Sequence, residues 1–247
     1  MDRMLYIAMN GAKQTMTAQA ITANNLANVS STGFRADLAK MLSLPVSGTG
    51  FPSRVYSETE NPDVDFQSGA IIPTGNELDV AISGDGWLTI QTPDGNEAYT
   101  RAGNLSISPQ GGFLTTVNGL PLLGNGGPIA IPPYSKLEIA SDGTISILPV
   151  GQEPGTLSVI DRIRLVNPAK ADLFKGTDGL FRHRNNETAI PNINVTLVGG
   201  ALESSNVNAV ASMVDMITQA RSFEMQVKMM KMADENDSTS ARLMQMS

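Results

Sequence analysis

Cysteine is absent from the 247 residues. Disulfides, thiolate nucleophiles and cysteine-ligated zinc are therefore excluded. Histidine is almost absent too. The single one, His183, rules out zinc sites built on several imidazoles. It stands between Arg182 and Arg184 with no Gly-x-Ser-x-Gly elbow in the chain, and reads as an exposed histidine at a strand end. No apolar run approaches the roughly 18 residues that mark a membrane span, so no membrane insertion is expected. The N-terminal stretch lacks the unbroken apolar segment of a secretory signal, because Asn10, Lys13 and Gln14 interrupt it. Positive charge is in deficit: 17 basic residues face 24 acidic ones, a formal charge of -7, which argues against nucleic acid as a partner. Gly11-Ala12-Lys13-Gln14-Thr15 lacks the Gly-Lys-Ser/Thr order of a phosphate loop, and neither Gly84-Asp85-Gly86 nor Gly124-Asn125-Gly126 extends into a dinucleotide fingerprint. No cofactor, no metal and no catalytic residue is expected.

What is present is unevenly distributed. All 14 prolines and 21 of the 23 glycines lie in residues 45–202, and all 13 methionines lie outside that block, five before it and eight after. The ends avoid helix breakers and use a flexible apolar filler, while the middle is punctuated every few residues. Two kinds of structure share one chain.

In the first block Leu5, Ala8, Met9, Ala12, Met16, Ala23 and Leu26 recur three, four or seven apart. They form one face of a helix expected from about Met4 to Asn28. The spacing fits a heptad with Leu5, Ala12, Gln19 and Leu26 in one series and Met9, Met16 and Ala23 in the other. Gly33 can take a positive φ after the helix, and Phe34 is then presented as a docking point. In the last block Glu203-Ser204-Ser205-Asn206 offers capping residues. Val207, Val210, Met213, Val214, Ile217, Ala220, Phe223, Val227 and Met230 then run at helical spacing. Each stripe needs a cover, and the two most simply pair with each other or with neighbouring subunits.

Between them, short β-prone runs at Glu77–Ile82, Trp87–Gln91, Leu105–Ile107, Phe113–Val117, Leu137–Ala140 and Thr144–Leu148 alternate with Asp-Gly, Gly-Gly and Asn-Gly turn pairs. Trp87, Leu105 and Phe113 are expected in the core. The fold class is α+β: N- and C-terminal coiled-coil-like helices flanking a mainly antiparallel β middle domain. Residues 1–36 are expected to form the N-terminal helix of a discontinuous assembly domain, 37–75 an extended connector, 76–202 the β-rich domain and 203–247 the C-terminal helix. An isolated helix is marginal without its packing partner, so both ends are expected to order on assembly.

Three ordered blocks resemble the bacterial flagellar rod and hook family. The first is Ala23-Asn24-Asn25-Leu26-Ala27-Asn28-Val29 followed by Thr32-Gly33-Phe34-Arg35. The second is Asp79-Val80-Ala81-Ile82-Ser83-Gly84-Asp85-Gly86-Trp87 with Tyr99-Thr100-Arg101-Ala102-Gly103-Asn104. The third is Leu202-Glu203-Ser204-Ser205-Asn206-Val207 with Arg221-Ser222-Phe223-Glu224. Ser30-Ser31 stands where relatives often carry asparagine and threonine, and Arg35 where lysine is frequent. The resemblance is strongest to proximal-rod members; a distal-rod or hook-type axial protein is the alternative, and a secreted β-rich enzyme or carbohydrate-binding module the alternative from another class. It implies a structural subunit of the basal-body rod that partners with other rod proteins, copies of itself and the flagellar type III export apparatus. It further implies a place in the periplasmic part of the flagellum, export without a cleaved signal, and terminal helices that pack between subunits with the β domain outward. The motif residues singled out are Asn24, Asn25, Asn28, Gly33, Phe34, Asp79, Gly84, Gly86, Asn206, Arg221 and Glu224.

Overall fold

The chain was analysed in a computed structural model that describes residues 3–45, 55–59, 63–151, 157–185 and 187–245. Part of the expected connector, 46–54 and 60–62, lies outside the described residues. Two compact units emerge: residues 1–29, 36–65 and 207–247 form one, and residues 30–35 and 66–206 the other.

In the first unit, helix α1 covers Arg3–Ala27 and helix α2 covers Ala209–Gln245. Neither contains proline, and at 1.5 Å per residue they are about 37 Å and 55 Å long. Helix α2 starts later than expected. Its cap is Asn208, whose Oδ1 accepts the Ala211 N–H at 3.1 Å, a side-chain oxygen satisfying one of the orphan donors of the first turn. Glu203 is not a capping residue, because it is drawn into a strand and its carboxylate is used elsewhere.

The unit also holds four short strands, β1 Asp37–Leu38, β2 Met41–Pro45, β3 Val55–Thr59 and β4 Asp63–Val64. Strands β2 and β3 pair antiparallel from Met41↔Thr59 to Pro45↔Val55. Asn10 on α1 anchors this ribbon, accepting the Ser57 N–H on its Oδ1 at 3.0 Å. The described residues 37–45, 55–59 and 63–65 of the expected connector thus belong with the helices, and residues 66–75 with the β-rich unit.

The second unit contains β5 Ile71–Pro73, β6 Val80–Ser83, β7 Trp87–Gln91, β8 Glu97–Thr100, β9 Leu105–Ile107, β10 Leu114–Thr116 and β11 Tyr134–Ile139. It continues with β12 Thr144–Pro149, β13 Ser158–Arg162, β14 Leu165–Val166, β15 Leu173–Lys175, β16 Phe181–His183, β17 Thr196–Gly199 and β18 Ala201–Glu203. The largest sheet has the order β14-β7-β8-β16-β15, beside the three-stranded β11-β12-β13 and the pairs β9-β10, β6-β17 and β5-β18. All pairings are antiparallel. The tight connection from β11 to β12 uses Asp142-Gly143, with Gly143 at φ 86°. Asp142 accepts the Thr144 N–H and hydroxyl, and those bonds hold its carboxyl below the usual carboxylate range.

Leu88, Ile90, Leu114, Leu122, Ile145 and Ile147 are wholly buried in one apolar cluster. Trp87 and Leu105 are buried as expected, but Phe113 is 38% exposed. Successive residues of extended chain face opposite sides, and Leu114 takes the inward one. His183 does end a strand, half-buried rather than exposed.

Candidate assembly interface

Helices α1 and α2 lie against each other and run antiparallel. Gln219 donates through Nε2 to the Thr22 hydroxyl at 3.0 Å, and a Cβ placed on Gly11 would stand 2.9 Å from Gln226 Cδ. Ala8, Ala12, Gln14 and Ala18 are buried on α1, and Ser212 and Ala233 on α2. The side chains fully buried on the pair are small or polar, which lets two backbones approach. Leu5, Leu26, Met216, Phe223, Val227 and Met230 are only half-buried, so less apolar surface leaves water than in a closed apolar seam.

The expected stripes split along their heptad series. Ala8 and Ala12 turn inward with Leu5 and Leu26 half-buried, while Met9 at 53%, Met16 at 57% and Ala23 face outward. On α2, Val210 at 72%, Val214 at 57% and Ile217 at 55% are exposed, and Ala220, Val227 and Met230 are half-buried, as is Val207 ahead of the helix. Met213, Met225, Met229 and Met232 extend the outer apolar face. Arg221 and Glu224, from the third block, are exposed on the same helix. Many of the larger apolar side chains thus remain exposed on the outer face of the pair, unlike those of an ordinary amphipathic helix on its own domain.

The asparagines of the first block are backbone tools. Asn25 clamps the chain where it returns toward the helices, its Nδ2 donating to the Asp37 carbonyl at 2.8 Å and its Oδ1 accepting the Asp37 N–H at 2.9 Å. Asn28 donates through Nδ2 to the Asn24 carbonyl, closing the last turn of α1.

Residues 30–35 belong to the β-rich unit, and there the three family blocks meet. Arg35 from the first block, Arg101 from the second and Glu203 from the third form a buried ion triad. Arg35 Nη2 donates to Glu203 Oε1 at 2.6 Å and Arg101 Nη1 to Oε2 at 3.0 Å, with side-chain exposures of 1%, 3% and 1% for Arg35, Arg101 and Glu203. The Gly69 N–H also reaches Oε1 at 3.0 Å. Burial lowers the Arg101 pKa and Glu203 opposes that shift. Arg101 gives its second nitrogen to the Gly84 carbonyl at 2.8 Å and lies 5.4 Å from the Trp87 ring centre. Sequence reasoning did not select these three as a set, because no local spacing connects them.

The remaining motif residues frame this point. Gly33, at φ 65°, donates its N–H to the Glu203 carbonyl at 2.8 Å, and a Cβ there would overlap the Arg101 carbonyl. Phe34 is half-buried with the Lys175 ammonium 4.0 Å from its ring centre, so it is already engaged within its unit. The Phe34 carbonyl accepts the Asn206 N–H, and Asn206 Nδ2 donates to the Gln67 carbonyl. Asp79 accepts from the Thr74 hydroxyl at 2.6 Å and from Asn76 Nδ2 at 3.1 Å. Gly86 packs against Val195, which a Cβ would touch at 2.5 Å.

Comparison with known proteins matches these same regions. Residues 5–35 match the family described as flagella basal body rod protein. Residues 81–147 match the flagellar hook protein FlgE/F/G D1 domain, and residues 198–243 the flagellar basal body rod FlgEFG protein C-terminal family. The chain is 42% identical to the flagellar basal-body rod protein FlgF of Escherichia coli (strain K12), across the whole of both chains. It is 41% identical to the FlgF of Salmonella typhimurium, again over both full lengths. Identity is 31% to the rod protein FlgG of Buchnera aphidicola subsp. Schizaphis graminum, over 94% of this chain and 95% of that one.

Proposed function

The chain belongs to the flagellar basal-body rod protein family, and we propose that, as a structural subunit of the rod, it polymerises through the outer faces of its two terminal helices. The observation that carries this reading is the division of the stripes. The residues fully buried on the α1–α2 pair are small or polar, while Met9, Met16, Val210, Val214 and Ile217 stand exposed. A helix pair with two unused apolar faces presents different surfaces to different neighbours, and such heterologous contacts repeat without closing into a helical array. Methionine suits that use, because its flexible thioether adapts to neighbours set at slightly different angles.

The finer placement in the proximal rod rests on the 42% and 41% identity to the FlgF of Escherichia coli and of Salmonella typhimurium, against 31% to the FlgG of Buchnera aphidicola subsp. Schizaphis graminum. In this reading the chain assembles with other rod proteins and with copies of itself, is delivered by the flagellum's own export apparatus, and carries torque without a catalytic step. Ile217 is 55% exposed, so Ile217→Asp leaves the free chain as stable as the wild type. In the array the same charge is buried at a cost of several kcal/mol. The expected result is a folded chain missing from purified basal bodies and a non-motile strain; normal swimming with Ile217→Asp would sink the reading. Leu26→Asp is expected to behave alike, with some loss of helix pairing because Leu26 is half-buried.

A further inference from the structure

We propose that the β-rich unit carries both a knob and a hole through which one copy of this chain joins the next. The Ile190–Ile193 loop of one copy seats in the cavity lined by Ile107, Ile131, Pro132, Pro133 and Tyr134 of a second copy. This deepens the rod reading and rests on it.

Ile190 at 85% and Ile193 at 77% are the two most exposed large apolar residues described, and they lie three apart on one loop. The loop is held in place. The Ala189 N–H donates to the Tyr99 hydroxyl at 3.0 Å, and the Ala189 carbonyl accepts Arg164 Nη2 at 2.8 Å. Pro191 bridges to Val166, and the Asn192 N–H donates to the Leu165 carbonyl at 2.8 Å. Two isoleucines are therefore presented in a fixed frame, and little ordering entropy remains to be lost on contact. They form one lip of a cleft of about 590 Å³ whose other walls include Asn167, His183 and Glu187, a polar surface that does not cover them.

The hole lies on other elements, at the β9–β10 turn and the segment entering β11. It is an open depression of about 560 Å³ that also includes Gly111 and Gly112, and no charged side chain lines it. Its edges are tied by the Gly112 N–H to the Ser108 carbonyl at 3.1 Å and the Ile131 N–H to the Gly112 carbonyl at 2.8 Å. A cavity without charged side chains, whose one side-chain hydroxyl is that of Tyr134, favours an apolar insert over a charged one, whose desolvation no counter-charge in the hole would offset. The chain itself supplies that insert. Knob and hole are different surfaces of one molecule, so the contact is heterologous and repeats from copy to copy, as an axial subunit requires.

The absence of native cysteine gives a clean test. Two singly substituted full-length chains, Ile193→Cys and Pro133→Cys, are co-expressed in the native strain, and basal bodies are purified and run without reductant. The expected product is a disulfide-linked dimer containing one chain of each kind, with no dimer when either is expressed alone. In parallel, Ile190→Asp with Ile193→Asp is expected to leave melting of the free chain unchanged but to lower the amount of this chain in basal bodies at least about tenfold, as a charge on an apolar contact requires. The proposal is overturned if both cysteine chains are present in basal bodies without a mixed dimer, or if Ile193→Cys alone dimerises. It is also overturned if the double aspartate chain assembles normally. Absence of the unsubstituted chain from basal bodies would instead overturn the rod reading on which the proposal stands.

Discussion

Replacing Glu203 by glutamine removes one negative charge and almost no volume from the point where the three motif blocks meet. In the wild type its carboxylate takes hydrogen bonds from Arg35, Arg101 and Gly69, and both arginine partners are nearly inaccessible. Among the described residues Glu203 is the one carboxylate within ion-pair distance of either guanidinium. Arg35 Nε and Nη1 and Arg101 Nε have no hydrogen-bond acceptor within the protein. In Glu203→Gln the amide oxygen still serves Arg35 and Gly69, but the amide NH₂ faces Arg101 donor to donor, and two buried cations lose their anion. Stranding one partner of a buried pair costs about 3–5 kcal/mol, and two stranded cations place the variant at the upper end. With a urea slope near 2 kcal/mol per molar, the unfolding midpoint should fall by roughly 1.5–2.5 M.

Trp87, the single tryptophan, lies beside Arg101, so its fluorescence follows this unit directly. The companion variant, Arg35→Met with Arg101→Met and Glu203→Leu, exchanges the triad for apolar side chains. Such exchanges are often neutral or stabilising, so its midpoint should recover most of the loss. A fall below about 0.5 M for Glu203→Gln, or a triple variant as weak as the single one, would refute the account of the triad as an interdependent set.

Three further outcomes are expected. Gly33→Ala should lower the same midpoint by an amount equivalent to about 2 kcal/mol or more, from its positive φ and the overlap with Arg101. Gly95→Ala separates the two effects, since Gly95 has φ 82° with open space around its Cβ position, and an equal loss in both would remove the argument from close approach. In the free chain, amides of α1 and α2 should exchange with solvent faster than those of β7 and β12, because the side chains fully buried on the helix pair are small or polar; equal protection would contradict the division of the stripes. The carboxyl of Asp178 is held below its ordinary value by its hydrogen bonds with Arg182, so its contribution to stability is present above the ordinary carboxylate pKa and disappears as pH falls through the depressed one. Asp178→Asn should therefore be less stable than wild type near neutrality and converge with it in acid. The difference is small because the carboxylate is 44% exposed, and a gap that widened on acidification would reverse the sign.

Much of the fold is legible locally. Helical spacing without proline marks α1 to within a residue or two, and Asp142-Gly143 marks the turn between β11 and β12. Strand β8, Glu97–Thr100, is short and half polar, and its place in the sheet comes from Ala98 and Tyr99 being buried on opposite faces rather than from a repeating pattern. Residues 201–203 carry capping-type neighbours yet pair with β5, because Glu203 has two arginines to meet. Periodicity found the stripes on both helices but not which half of each faces in, since alanine and glutamine are among the residues fully buried on the pair, while methionine is half-buried at Met216 and Met230 and exposed at Met9, Met16 and Met213. The triad was hidden by distance: Glu203 is 168 residues from Arg35 and 102 from Arg101. Its trace in the sequence is that each motif block contributes one charged residue to it, two basic and one acidic.

That separation also sets a schedule. Closing a flexible loop of this length costs about 4–5 kcal/mol of chain entropy before any contact offsets it, and folds that depend on distant pairings form slowly. Strand β18 pairs with β5, and Arg35 has no anion until Glu203 arrives. A chain made from its N-terminus therefore lacks the closing piece of its β-rich unit until more than four-fifths of its 247 residues have been joined. Until then the segment stays pliable, and the fold is tied off last.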